Sequence, residues 1–532
     1  ALLAQYAFTQ VDLEETPLPI VVISTGDQEI VDEPKITARM GVIDNGPGML
    51  NRPEDTYNGY DGPIGIEIRG QSSQRFLKKG FGIETRDETG EDVDVPLLGF
   101  PEESDWVLHG PYSDKSLIRN GLAYQLASKV MDYAPRTRFV ELIIEHEYMG
   151  VYLFTEKIKR DKNRVDVAKL KPDENEGDDL TGGYILRHDK EPREEAYGWI
   201  SPYPPFENTF TDTWFFYLYP KPEDISSQQK TYIQDWITNL ENILKSNEFA
   251  DPEQGYRKYI DLGSFIDFMW INEITKNVDA YRLSTYMYKD KDSDGGKLKM
   301  GPVWDFNLGF ANVNYCDSEL PEGWAFDFNN ICPGHSWVIH FWWKRLWQDP
   351  EFVQAAKRRW IELREGLLSD QAIFTLLDSL VGVVQPAVDR NFDRWPILEE
   401  YVWPNNFVGE TFSAEVNYLN DWLVDRLEWM DGAIDELVTS TNKISASPSM
   451  VQVRPNPAAD YFNFYIHSEQ PGQGVIHLYN SFGQEIGHLD TGWLSPQMEK
   501  VVLWNRPLPR GIYYFTIFQN GQLMDKGKVT IQ

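Results

Sequence analysis

Two aspartates on either side of one short segment are the residues whose types and spacing could do chemistry together: Asp279 and Asp305. Between them, Ser284-Thr285-Tyr286-Met287-Tyr288 reads as a strand, Asp290 to Gly296 as a polar turn, and Lys297-Leu298-Lys299-Met300 as a returning strand. A hairpin brings its ends back together, so acids flanking one can meet in space. Two neighbouring carboxylates suit phosphoryl transfer, one orienting an attacking hydroxyl while the other holds Mg2+ on a nucleotide phosphate. Spacing alone also fits a plainer arrangement, in which Asp279 caps the turn after a helix and Asp305 is a buried, hydrogen-bonded acid.

Further candidates lie upstream. Gly65 to Gly70 and Phe81 to Thr85 read as strands around a small polar loop carrying Arg75, Lys78 and Lys79, with Arg69 at its entry. Small residues with adjacent bases could cover phosphates, or form a solvated hairpin with ordinary surface lysines. Glu156 is a candidate ion-pair partner for a phosphate-binding lysine, although surface charge pairs without function are commoner. Arg160-Asp161 has the Arg-Asp of a protein-kinase catalytic loop, but Asp166 stands where a metal-binding Asn is needed, so it reads as a charged loop. Asp290, Asp292 and Asp294 followed by Gly295 open like a calcium loop, yet the twelfth position is Gly301 rather than a bidentate acid. A polar hairpin turn explains the three aspartates better. The eight histidines show no metal-ligand spacing, and neither a Gly-x-Ser-x-Gly elbow nor a Walker loop is present.

The elements that must position these residues follow from periodicity. Residues 18–24, 36–43, Asp105-Trp106-Val107-Leu108, 182–188 and 213–219 read as strands. Arg138 to Ile144 and Gly150 to Lys157 read as a hairpin turning at Glu147-Tyr148-Met149-Gly150. A helix is expected after Asp114, with Leu117, Leu122 and Leu126 on one face; others are expected over 226–247 and 255–278, the second delivering Asp279. Beyond Asp305 the chain reads as largely helical to residue 439. Its last helix carries Val416, Leu419, Leu423, Leu427, Met430, Ile434 and Leu437 as a core stripe. Residues 439–449 have linker composition, and short alternating strands with Gly turns then run to Gln532, a β-sandwich of about 80 residues.

Length and composition allow two or three domains: 532 residues, 41% hydrophobic, with 18 Trp, 27 Tyr and 28 Phe. A formal net charge of -33 repels nucleic acid and anionic membranes, and any ATP site would need locally clustered Lys and Arg plus a metal. Cys316 and Cys332 could close a loop of about 15 residues as a disulfide, contributing roughly 3 kcal/mol, or remain two buried thiols in a reducing compartment. No long apolar run suggests a membrane span. The opening Ala1-Leu2-Leu3-Ala4-Gln5 within residues 1–16 could be a signal-peptide remnant.

Residues from about 17 to 438 resemble the CotH kinase family. The matching segments include Ile68-Arg69-Gly70-Gln71-Ser72-Ser73 with Lys79, Leu97 to Pro101 followed by Asp105 to Leu108, and Asp114 to Asn120. Ala134-Pro135-Arg136, Gly150-Val151-Tyr152 with Glu156, and Gly301 to Asn307 complete the set. The resemblance implies an α+β architecture: a diverged protein-kinase-like domain, mixed β first and mainly helical after, followed by the small all-β sandwich. It implies use of ATP and Mg2+ to phosphorylate Ser or Thr, with Asp279 orienting the acceptor hydroxyl and Asp305 holding metal. Lys79 and Arg69 are implied near the phosphates, with Glu156 pairing a basic residue. Residues 450–532, with Val453 to Ala458, Leu478 to Gln484, Leu508 to Tyr513 and Lys528 to Ile531, resemble the type IX secretion sorting domain of Bacteroidota. That implies a secreted or cell-surface protein, a protein substrate outside the cell, the type IX machinery as partner, and conditions that favour the disulfide.

Two departures stand out. Ser284 occupies the place five residues after Asp279 where a kinase has its metal-binding Asn, and Asn307 replaces the second acid of the Trp-Asp-Phe-Asp pattern. With two weak metal ligands and ATP scarce outside the cell, a kinase-like scaffold acting as a surface binding or adhesion protein is the alternative. Paired carboxylates also serve glycosidases, but nothing else suggests a sugar cleft.

Overall fold

The computed structural model describes residues 11–191, 197–205, 211–440, 451–454, 458, 461–468, 470–480, 484–496 and 499–531. The expected signal-peptide remnant at Ala1 to Gln5, most of the expected linker, and Pro455 to Pro457 and Ser481 to Gly483 of the sorting motifs lie outside the described residues. The chain divides into two compact units, Ala1–Val438 and Thr439–Gln532.

Seven strands open the first unit: β1 (Ile20–Ser24), β2 (Ile36–Ile43), β3 (Tyr60–Arg69), β4 (Gly80–Thr85), β5 (Asp105–His109), β6 (Thr137–Ile144) and β7 (Glu147–Glu156). They close into a barrel in the order β1-β2-β3-β4-β5-β7-β6, with β1 and β6 parallel and the other neighbours antiparallel. Alternate residues point inward, so Val21 and Ile23, Ile64 and Ile66, and Tyr152 and Phe154 fill one interior cluster. Val151 and Leu153, on the opposite face of β7, join a second and larger cluster. That double burial explains why β7 reads as a continuous apolar run. The β6–β7 turn falls at Glu145-His146, both with positive φ, rather than at Glu147 to Gly150, because β7 already pairs from Glu147.

A second, antiparallel sheet has the order β12-β11-β8-β10-β9. Its members are β8 (Tyr184–Asp189), β9 (Gly198–Ile200), β10 (Trp214–Tyr219), β11 (Thr285–Lys289) and β12 (Leu298–Met300). The expected hairpin is there, with Met287 opposite Met300. Among the described residues the helices are α1 (Arg119–Ala127), α2 (Gly177–Leu180), α3 (Ser227–Lys245), α4 (Leu262–Thr275), α5 (Phe328–Ile331), α6 (Trp342–Leu346), α7 (Pro350–Glu365), α8 (Asp370–Val384), α9 (Val388–Arg394) and α10 (Phe412–Ser440). Ser226 and Gln229 cap α3 reciprocally, and the Asp261 carboxylate caps α4 at the Ser264 N–H, 2.8 Å away.

Two expected helical spans are shorter than their composition suggests. Residues 255–278 contain α4 alone, after a 3-10 turn at Tyr256–Lys258, because Lys276 at φ 40° stops the helix. After Asp305 the chain is mostly irregular until Trp342, tied by side-chain bonds to backbone rather than by helical ones. Among the described residues one helical run, Asp370–Arg394, is long and apolar enough by composition to cross a membrane; its Ile373, Leu377, Leu380 and Val384 are buried in the large cluster.

In the second unit, β13 (Val451–Arg454), β14 (Phe462–Ile466) and β17 (Lys500–Trp504) form one sheet in the order β13-β14-β17. β15 (Gly472–Tyr479), β16 (Glu485–Leu494), β18 (Gly511–Gln519) and β19 (Gln522–Ile531) form another in the order β16-β15-β18-β19. Phe464 and Ile466 of the first share one apolar cluster with Leu478, Phe515 and Ile517 of the second.

Candidate active site

The helix α4 is buried from Phe265 through Thr275, so its C-terminus is fixed by packing on all sides. The left-handed Lys276 then turns the chain into Asn277-Val278-Asp279. Asn277, itself buried, links the two aspartate turns. Its Oδ1 accepts the Asp279 N–H at 3.2 Å, and its Nδ2 donates to the Asp305 carbonyl at 3.3 Å.

The second turn is held from the other side by α1. The Asp305 N–H donates to the Tyr124 hydroxyl at 3.0 Å, and the Phe306 N–H to Asn120 Oδ1 at 2.7 Å. Tyr124 stacks on Trp304 at 5.9 Å, and the Arg69 guanidinium lies over Trp304 at 5.1 Å. Asp305 adopts φ 65°, a left-handed conformation uncommon outside glycine that persists only when its surroundings impose it. The three ties of Asn277, Tyr124 and Asn120 to the backbone of Asp305 and Phe306 are those surroundings.

Electrostatics shows which side chains share the space. The Asp305 carboxyl is raised to about 7, first by desolvation and then by the negative charges of Asp279 and Asp189, against the opposing pull of Lys190 and Arg69. Its side chain is nonetheless open to water. Asp189 is raised likewise, chiefly by burial, with Asp279 among the charges that act on it. Asp279 is pinned by Arg282, whose Nη2 donates to its Oδ1 at 2.8 Å. Asp305, Asp189 and Asp279 thus feel one another's charge, with Lys190 and Arg69 acting on Asp305 and Arg282 bonded to Asp279.

Arg69 lies over Trp304 and acts by its charge on Asp305, while the other candidate residues are engaged as follows. Lys79 donates its ammonium to the Gln74 carbonyl within its own loop. Glu156 is fully buried and receives Arg136 at 2.8 Å and the Tyr133 hydroxyl at 3.1 Å, with Arg164 at 3.8 Å. Ser284, at φ 46°, leads directly into β11. Asn307 uses its carbonyl to accept the Asn312 amide at 2.8 Å. Asp290 accepts the Ala168 and Lys291 N–H groups, and Asp292 receives the Lys289 ammonium at 3.0 Å, so protein donors already occupy that turn. Cys316 and Cys332 are bonded, with Cα atoms 5.5 Å apart.

Several residues of the site escaped sequence reasoning. Asp189 closes a strand expected to end at His188, and only the pairing of His188 with Thr285 reveals that it lies beside Ser284. Lys157, paired with Asp105 at 2.9 Å, has its ammonium pKa lowered by burial and by Arg69 nearby. Glu67 is raised by burial while Lys35, Lys157 and Arg69 oppose that shift, so a cationic group borders Arg69 on the barrel rim.

Among the described residues no three acidic, His or Cys side chains stand close enough to hold a metal by themselves. Mg2+ characteristically takes one or two carboxylates and completes its shell with phosphates and water. Asp305, whose carboxyl is pushed up partly by the charge of Asp279, is the residue that could hold such an ion.

A family model described as CotH kinase protein matches residues 66–430. No curated protein matches the chain. Among solved structures, dimeric latent PorU from Porphyromonas gingivalis is 18% identical over 16% of this chain and 10% of its own, with a TM-score of 0.14. Pseudomonas fluorescens alkylpurine DNA glycosylase AlkC, bound to DNA containing an abasic site analog, is 9% identical over 37% of this chain and 55% of its own, with a TM-score of 0.10. The chain thus spans a tenth of the first and about half of the second, and at those scores neither likeness bears on its fold.

Proposed function

Because this chain belongs to the CotH kinase protein family, which it matches over more than half its length, we propose that it is an exported protein kinase transferring the ATP γ-phosphate to Ser or Thr of surface or secreted proteins. The observation that carries the reading is the charge crowding at Asp305, on which Asp279 and Asp189 act against Lys190 and Arg69. Bound Mg2+ would supply charge withdrawal at the phosphates, held by Asp305. Asp279 accepts the proton of the acceptor hydroxyl as its oxygen bonds to the γ-phosphorus. The bond from that phosphorus to the β–γ bridging oxygen breaks, and its electrons leave with ADP. Arg69 and Lys190 offset the charge of the phosphates, which two carboxylates alone would repel.

Labelled ATP with Mg2+ and purified protein, run beside Asp279→Ala, tests this. Loss of a general base should reduce transfer by about 100-fold or more. Equal label in both proteins, or none in the wild type, would end the catalytic claim.

A second reading is favoured by Ser284 and Asn307 in place of stronger metal ligands, and by Lys79 and Glu156 being engaged within the barrel unit. It is a surface binding or adhesion protein that keeps the scaffold without turnover. Calorimetry with no nucleotide binding at millimolar ATP would favour it. For residues 450–532 we propose the type IX sorting address of a Bacteroidota protein, supported by the Val453-Arg454-Pro455-Asn456-Pro457-Ala458 motif and by a disulfide that suits an oxidising compartment.

A further inference from the structure

We infer that Arg282 is a positioning residue for Asp279 and that the loop closed by the Cys316–Cys332 disulfide holds Arg282 in that role. The chemical meaning of this inference rests on the kinase reading; its geometry does not.

Arg282 has a side chain only 1% exposed, and each of its nitrogens is engaged. Nε donates to the Val278 carbonyl at 2.9 Å, Nη2 to Asp279 Oδ1 at 2.8 Å, and Nη1 to the Trp337 carbonyl at 3.1 Å. Its face covers Phe328 at 4.3 Å. A planar fork held at three points fixes the plane of a carboxylate, which an ammonium on a flexible stem does not. By holding Oδ1 of Asp279, Arg282 fixes the plane in which the carboxylate meets an acceptor hydroxyl. The Trp337 carbonyl is therefore part of what aims the carboxylate.

The disulfide decides where that carbonyl sits. The first half of its loop is clamped from α4 and α10. Lys276 donates to the carbonyls of Asp317 at 2.6 Å and Leu320 at 3.0 Å, Arg426 to that of Pro321 at 2.7 Å, and Glu273 accepts the Ala325 N–H at 2.7 Å. Residues 333–337 lie just beyond the closed loop, where Arg282 holds the Trp337 carbonyl, the Lys190 ammonium lies over the Trp337 ring at 4.8 Å and His335 meets the edge of Phe328 at 5.5 Å. They hang between Cys332 and the pair of bonds, each 2.7 Å, that joins Asn329 to Ile339. His335 stacks on Tyr315, the neighbour of Cys316, with ring centroids 6.4 Å apart and planes 14° from parallel. The disulfide thus ties the clamped first half of the loop to its second half, where Phe328 lies under Arg282 and from whose end residues 333–337 lead to the Trp337 carbonyl.

The test uses the full chain, with a Cys316→Ser/Cys332→Ser double variant beside Arg282→Gln and Arg282→Lys. The readouts are amide hydrogen exchange, calorimetric Mg–ATP affinity, and kcat and KM for transfer. In the double variant, exchange at residues 278–283 and 333–337 should rise about tenfold while β3 stays unchanged. Its kcat should fall by about tenfold with Mg–ATP affinity held within about threefold, because misplacement of a reacting group costs rate rather than binding. Arg282→Gln should lose more, and Arg282→Lys should recover part of that loss. Unchanged exchange at 278–283, an unchanged kcat, or a rise spread equally through β3 would overturn the inference. A wild type that transfers nothing would sink the kinase reading alone, and the exchange measurement would then decide this inference by itself.

Discussion

At the scale of single residues, the site is built by conformations and charges that a sequence carries only implicitly. Asp279 and Asp305 were legible as a pair because a hairpin lies between them. Asp189, Asn277 and Arg282 were not, because an acid at a strand end, a helix-end Asn and a buried Arg are each ordinary until their neighbours are known. Asp305 offers a test of the crowding. Its folded value near 7 lies above its ordinary 3.8, so the folded state holds the proton more tightly than the unfolded chain. Ionisation at this carboxyl therefore costs stability as pH rises from about 4 to 7, and the cost is fully present above 7. Asp305→Asn should flatten the difference in melting temperature across that window in metal-free protein. Solvent access keeps the effect modest. A variant whose pH dependence tracks the wild type would remove the crowded-acid picture.

At the scale of elements, the hairpin β11–β12 and the helix α1 converge on the Asp305 turn. Periodicity predicted both, since alternation and a helical stripe are local signals. It could not predict that α1 donates its Asn120 and Tyr124 side chains to that turn, because those contacts span some 180 residues of sequence. Gly301, directly after β12, sits at φ 115°, where an L side chain is strained. A Cβ there would also stand 2.4 Å from the end of Met131. Gly301→Ala should cost about 1–3 kcal/mol of stability and weaken Mg–ATP binding by moving the Asp305 turn. Urea melts with parallel calorimetry check both, and an unperturbed affinity would show that the turn is set by α1 alone. The irregular segment after Asp305 was expected to be helical, since its apolar content suits a helix. Its backbone groups instead bond to Lys276, Arg426 and Glu273, long-range partners that composition does not announce.

At the scale of the whole molecule, the chain concentrates Arg69, Lys157, Lys190 and Lys35 near a few carboxylates while carrying a net charge of -33. Locally grouped cations are what a polyphosphate needs from an acidic protein. The separate apolar cluster of the second unit predicts a separate unfolding transition. Deleting residues 439–532 should remove one calorimetric transition, leave the other within about 2 °C, and on the proposed export reading retain the protein inside the cell. Loss of both transitions would show that the units fold as one. The sequence by itself determined the strands of the barrel, the hairpin between the two aspartates, the large helical share and the β-rich tail, because alternation, helical stripes and turn residues act between near neighbours. Only the tertiary structure decided which charges act on one another, that Glu156 is spent inside the barrel unit, and that a disulfide-closed loop reaches Arg282. Those outcomes depend on which distant surfaces desolvate each other, and burial and Coulomb forces act through space rather than along the chain.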